Sequence, residues 1–184
     1  MSEENPEKKI DYTVKRSTRA RTMRLAIYPD GNVVVTAPRF FGLQAIEDFV
    51  MKHSSWVRAR VEETRGRSIL RIRRSDIPAL KKQALALAIA RAEHFAAYYG
   101  VTYKKISIRA QKSRWGSCSE LGNLSFNYKI AILDPRLADY IVAHEICHIR
   151  QFDHSQAFWA LVAEQFPDHR EVRLKLRNTA TIFS

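Results

Sequence analysis

The chain has 184 residues, 46% of them hydrophobic and 10% aromatic, with only six glycines and six prolines, enough for one sizeable domain or a domain with a small appended module. That usage excludes a disordered chain, and two cysteines, Cys118 and Cys147, exclude a disulfide framework. An excess of 31 Lys and Arg over 19 Asp and Glu gives a net charge of +12, which favours polyanions but names no partner.

The first ten residues, MSEENPEKKI, are charged and polar, so no apolar signal region is expected there. The longest apolar run, Ala84 to Ala90, is too short for a bilayer span, and a cytoplasmic protein without a membrane partner is expected. A short strand around Tyr12 to Lys15 is expected to precede a hairpin. Its arms are the β-rich runs Met23 to Tyr28 and Asn32 to Ala37, joined by the turn signal Pro29-Asp30-Gly31. From Leu43 to about Glu63 the apolar residues Leu43, Ile46, Phe49, Val50, Trp56, Val57 and Val61 recur at helical spacing, which predicts one amphipathic helix.

The run from Arg65 to Arg74, with arginine at five of its ten positions, is the expected boundary. It divides the chain into a hairpin-plus-helix module over 1–75 and a second domain over 76–184. The run itself reads equally as a solvated connector or as a phosphate-contacting surface. Ile77 to Tyr99 is a helix of good helix formers with Gly100 in the capping position, and Lys105 to Ala110 alternates like a strand. Gln111 to Cys118 reads as a loop, Asn123 to Ile132 contains a further strand, and Asp134-Pro135 starts a helix.

That last helix carries His-Glu-Ile-Cys-His from His144 to His148. Leu137, Tyr140, Ile141, His144 and His148 share one helical stripe, so two imidazoles one turn apart face inward as a tetrahedral ion requires. Glu145 lies about 100° around the helix, beside the ion without ligating it. A lone histidine on such a stripe is usually a core residue. Average residue usage, however, makes the whole pattern on the order of a one-in-a-hundred coincidence in this length, which favours the metal. His154, six residues after His148, is the favoured third ligand, with Asp153 as a pivot tolerant of left-handed angles and Ser155 capping the next helix; the rival is Glu164 on that helix. His53, His94 and His169 lack motif context. Trp115 and Trp159 are expected in the walls of the site, Arg114 as an oxyanion or ion-pair partner, and no substrate-binding residue is assigned.

The His144, His148, His154 spacing is that of metzincins, but Gln151 stands where they turn on glycine, and all three methionines (Met1, Met23, Met51) precede the motif. Four other stretches resemble the YgjP-like metallopeptidase family, relatives of SprT-like proteases: Ser113-Arg-Trp-Gly-Ser-Cys-Ser119, Gly122-Asn-Leu-Ser-Phe-Asn127, Asp139 through His148, and His154-Ser-Gln-Ala-Phe-Trp159. The early hairpin with its Asp-Gly turn, and a helix containing Trp56, extend the likeness over nearly the whole chain. Asp153 takes a place where the family often has Asn.

The resemblance implies an α+β fold: a zincin-like domain with an active-site helix on a small, twisted, mostly antiparallel sheet, plus the hairpin-and-helix module. It implies one zinc ion per chain on His144, His148 and His154, and Glu145 as general base. Three neutral imidazoles leave such an ion its charge and a vacancy, which suits hydrolysis of peptide bonds, with the strand around Leu124 to Tyr128 as an edge for an extended substrate. Peptide or protein substrates are therefore expected. Two alternatives stay open: hydrolysis of nucleotides or other phosphate compounds, for which Lys112 and Arg114 are suitable, and a nucleic-acid-associated SprT-like protease using the basic surface.

Overall fold

The computed structural model describes residues 10–183, which divide between Ile69 and Leu70 into two units. In the first, β1 (Tyr12–Ser17), β2 (Arg24–Ile27) and β3 (Val33–Pro38) form a sheet in the order β1-β3-β2. The predicted hairpin is β2 with β3, antiparallel across the turn at residues 28–32, while β1 lies parallel to β3 with Tyr12 opposite Val33. Alternation buries Val33, Val35 and Ala37, and the last two meet Ile46 and Val50 in a small core.

The single helix expected over residues 43–63 is two: α1 (Leu43–Lys52) and α2 (Ser54–Glu62). His53 breaks it. Its ring Nδ1 sits 2.8 Å from the Phe49 carbonyl, its backbone N–H turns to Val50 at 3.1 Å, and its backbone leaves helical angles. The apolar spacing survives because Val50 and Val57 are two turns apart, so periodicity alone could not reveal the break.

The second unit begins within β4 (Ser68–Ile72), inside the arginine-rich run. Next comes α3 (Ile77–Tyr99), ended by Gly100 at φ 62°, a left-handed cap that costs glycine little. Ala84, Ala88 and Ala92 on α3 are fully buried, and this row of small side chains lets neighbouring elements pack closely. β5 (Lys105–Arg109), β6 (Gly116–Cys118) and β7 (Asn123–Asn127) form a sheet in the order β5-β7-β6. This sheet is mixed: β5 runs parallel to β7 and β6 antiparallel to it. The physical reason is burial. Leu124 and Phe126 of β7 are fully buried, so β7 takes the centre and β5 is left a parallel partner.

β7 ends at Asn127, whose side-chain oxygen caps a 3-10 turn over Tyr128–Ile132, and whose amide donates to the carbonyls of Gln111 (2.7 Å) and Arg114 (3.2 Å). One buried side chain thus ties the loop before β6 to the sheet. α4 (Pro135–Arg150), α5 (Gln156–Gln165), α6 (His169–Arg177) and β8 (Thr179–Phe183) complete the unit, and β8 pairs with β4. A bidentate Arg91–Asp139 pair (2.6 and 2.9 Å) joins α3 to α4. Among the described residues no helix is long and apolar enough to cross a membrane.

Candidate metal centre

α4 starts where the sequence predicts: the Asp134 carboxylate accepts from the Arg136 N–H at 2.9 Å and Pro135 occupies the first turn. Ala138, Ile141, Val142, Ile146 and Cys147 bury this helix on several sides, which fixes its rotation. His144 and His148 then project together, ring centroids 4.9 Å apart. His154 closes the group, its ring 5.3 Å from His144 and 4.7 Å from His148. One ligand atom from each of the three lies within 4.8 Å of the others, and no other such group of three His, Cys, Asp or Glu occurs among the described residues. Glu164 is outside the cluster; it is exposed on α5, near Tyr99 and Cys147.

The turn that brings His154 back needs no left-handed residue, since positive φ is confined to glycines among the described residues. The Asp153 carboxylate instead accepts from the Gln151 side chain (2.7 Å) and the Ser155 N–H (3.1 Å), and the Ser155 hydroxyl accepts from the Phe158 N–H (3.5 Å). Gln151 is extended at φ −135°, where any side chain fits, which explains why glycine is dispensable here. The Gln151 carbonyl also faces His148 Nδ1 at 3.2 Å, an arrangement that places the proton on Nδ1 and frees Nε2 to ligate.

The donors fit a divalent cation. Nε2 of His144 and Nε2 of His154 are 3.3 Å apart. Two nitrogens at zinc-ligand distance and the tetrahedral angle are separated by about 3.3 Å. Burial, followed by the charges of His148, His154 and Arg173, lowers the His144 pKa to about 3, and burial lowers that of His148. Both imidazoles are therefore neutral, as ligands must be. Phe158, fully buried, touches all three rings: stacked on His148 (4.4 Å, 23°) and edge-on to His144 and His154 (4.9 Å each).

Glu145 is only 6% exposed. Burial raises its pKa to about 8, against the pull of Arg114 and a hydrogen bond from the Cys118 N–H. It lies against Gly116, where a Cβ would come within 2.7 Å of the carboxylate's Oε1 and of Cγ. Gly116→Ala is accordingly expected to push Glu145 from its position and lower hydrolytic turnover about tenfold or more, with metal content unchanged. Parallel assays of turnover and bound metal check this, and an alanine variant with full turnover would contradict it.

The same burial has a thermodynamic signature in metal-free protein. Between pH 6.5 and about 8 the folded chain keeps a proton on Glu145 that the unfolded chain, titrating near 4.5, has lost; the stability due to this group therefore falls as pH rises. His144 acts only below its ordinary 6.5, where the unfolded chain gains the proton that the folded chain refuses, so there stability falls with acid. Chelated wild type should lose thermal stability from pH 6.5 to 8 relative to Glu145→Gln, and a divalent cation, which favours the carboxylate, should shrink that loss. A constant difference between the two proteins across that range would disprove the assignment.

His144, His154 and Glu145 open on a cleft of about 760 Å³ shared with Trp115, Trp159 and Arg114, and His148 lines a smaller cavity beside it with Phe152. Both tryptophans are half-buried walls, as expected. Cys147 is fully buried, and Cys118, half-buried with a thiol pushed up to about 11 by burial and by Glu145, lies outside the ligand group. His169, without motif context, stacks on Trp159 at 5.1 Å. Three contributors escape sequence reasoning: Gly116, Phe158 as the common wall of the imidazoles, and the arginines of α6. Only Trp-Gly beside the motif's companion stretch could have signalled the first.

None of the curated proteins compared with the chain matches it. Two crystal structures of metallopeptidase zymogens are similar at 22% identity. Abylysin of Pyrococcus abyssi covers 52% of this chain and 99% of its own with a TM-score of 0.45; jannalysin of Methanocaldococcus jannaschii covers 48% and 86%, with a TM-score of 0.44. The profile of the family described as YgjP-like, metallopeptidase domain, matches residues 21–77 and 70–179, segments that take in the hairpin, the three histidines, Glu145 and Gly116. With most of its length matched, the chain belongs to the YgjP-like metallopeptidase family and is a metallopeptidase-like hydrolase.

Proposed function

We propose that this protein hydrolyses peptide bonds with one zinc ion per chain held by His144, His148 and His154, and with Glu145 as general base. The observation that carries the reading is the convergence of three imidazoles beside a cleft that His144, His154 and Glu145 line. An all-imidazole donor set favours zinc among the available divalent ions. Bound there, zinc supplies a Lewis acid for the substrate carbonyl and makes a water acidic near neutral pH.

The chain's own residues do the rest. Glu145 takes the proton of the attacking water and passes it to the leaving nitrogen, the two halves of general acid–base catalysis by one positioned carboxyl. The Cys118 N–H and Gly116 hold that carboxyl in place. Arg114 stands at the cleft, where its charge acts on Glu145.

The substrate strand expected along residues 124–128 needs correction, because β7 is paired on both sides and has no free edge. β6 is the edge. Trp115 and Ser119 bond to β7 (Asn127 N–H to Trp115 O, 2.8 Å; Ser119 N–H to Asn123 O, 3.0 Å), so alternation turns the backbone of Gly116 and Cys118 outward, beside the histidines. With the Cys118 N–H given to Glu145, the backbone of Gly116 is the group that an extended peptide meets first.

The test is a turnover assay on casein-like protein and unstructured peptides before chelation, after chelation, and after return of one equivalent of zinc. Cleavage is expected to vanish and return. The same preparations incubated with nucleoside triphosphates examine the rival phosphate chemistry: release of phosphate or pyrophosphate without peptide cleavage would replace this reading.

A further inference from the structure

The cleft beside the histidines is walled by unpaired positive charge. Arg170, Arg173 and Arg177 fall at i, i+3 and i+7 on α6, so one helical face presents all three to the cleft, while Val172 anchors the other side in the core. Arg114 lines the same cleft from the loop before β6, where Asn127 fixes its carbonyl. Arg173 is held with its guanidinium 4.5 Å over the Trp159 ring.

Two other arginines of this unit are paired with carboxylates, Arg91 with Asp139 and Arg136 with Asp168, each at 2.6 Å. Among the described residues, Arg170, Arg173 and Arg177 have no such partner, and the one acidic side chain lining the cleft is the buried Glu145. A second cavity of about 440 Å³ adjoins the first, shares Arg114 and Arg177 with it, and adds Lys112 and Lys129. Positive side chains therefore continue from the cleft into this neighbouring cavity, with room for further residues of an extended chain. Like charges crowded around a cavity repel one another, and an anionic ligand offsets that repulsion.

We infer that this enzyme selects peptides bearing carboxylates next to the scissile bond, gripped by Arg114, Arg170, Arg173 and Arg177, an inference that rests on the peptidase reading above. Guanidinium forks match a carboxylate through two parallel hydrogen bonds, and a peptide offers that group in two ways, as an Asp or Glu side chain or as its own C-terminus.

Three peptides of one sequence separate the sources: one with internal glutamates and an amidated end, one with those glutamates changed to glutamine and a free end, and one with glutamine and an amidated end. The zinc-loaded protein should cleave at least one acidic form better than the neutral one, by roughly three- to tenfold in kcat/KM per carboxylate, chiefly through KM. The ratio should shrink as salt is added. In Arg170→Gln/Arg177→Gln the ratio should fall towards one, whereas Lys175→Gln, on the same helix but off the cleft, should keep it. Equal cleavage of all three peptides, or a preference indifferent to both arginine changes and salt, overturns the acid selectivity and leaves the peptidase reading standing. Calorimetric binding of the same peptides to zinc-loaded Glu145→Gln gives a readout independent of turnover. Tighter binding of the acidic forms without cleavage by wild type supports the arginine site and sinks the peptidase reading; binding of none sinks both.

Discussion

Zinc-loaded Glu145→Gln is expected to bind its metal and its peptides as wild type does and to turn over about a hundred- to ten-thousandfold more slowly, the usual contribution of a positioned general base. The exchange is close to isosteric. The Cys118 N–H keeps an oxygen partner, and since burial holds the metal-free carboxyl with a pKa of about 8, it is largely uncharged at neutral pH and its replacement by an amide costs the fold little. Loss of rate therefore reports chemistry and not unfolding. The measurement is kcat and KM beside metal content and melting temperature: kcat falls, KM and metal stay. Undiminished kcat in a folded, metallated variant would remove Glu145 from the mechanism.

Loss of one imidazole should act on the ion instead. His148→Ala is expected to weaken zinc binding by more than the about ten- to hundredfold typical of losing a partner that merely orients a ligand, and to abolish peptide hydrolysis at stoichiometric zinc. In the proposed ligand set His148 contributes a nitrogen whose tautomer is fixed by the Gln151 carbonyl and whose ring is stacked on Phe158. An ion held by all three imidazoles would bind the folded chain alone, so zinc should raise the melting temperature of wild type and barely move that of the variant. Glu164→Ala is the informative control, since its side chain is exposed on α5 and outside the cluster. Wild-type zinc affinity in His148→Ala, or its collapse in Glu164→Ala, would mean that the ligand set is wrong.

Which parts of this were legible in the chain follows from how far apart the contributing residues are. The helix carrying His144 and His148 was legible because its cap, its proline and its stripe all act within a few residues, and the 3.6 period alone brings positions 144 and 148 together. The hairpin of residues 24–38 and the helix from Ile77 to Gly100 were legible for the same reason. The break at His53 was not, because the apolar spacing runs through it unchanged.

The sequence by itself determined an α+β chain with an HExxH helix and a family likeness, since local hydrogen bonding and side-chain periodicity are written in neighbouring positions. Only the tertiary structure decided that β6 and not β7 offers the free edge, that Gly116 admits Glu145, that Phe158 supports all three imidazoles, and that α6 turns three arginines towards the same cleft. Each of those depends on which buried surfaces meet. Burial is a property of the packed chain, where residues tens of positions apart compete for one core, and no periodicity along the sequence records who wins.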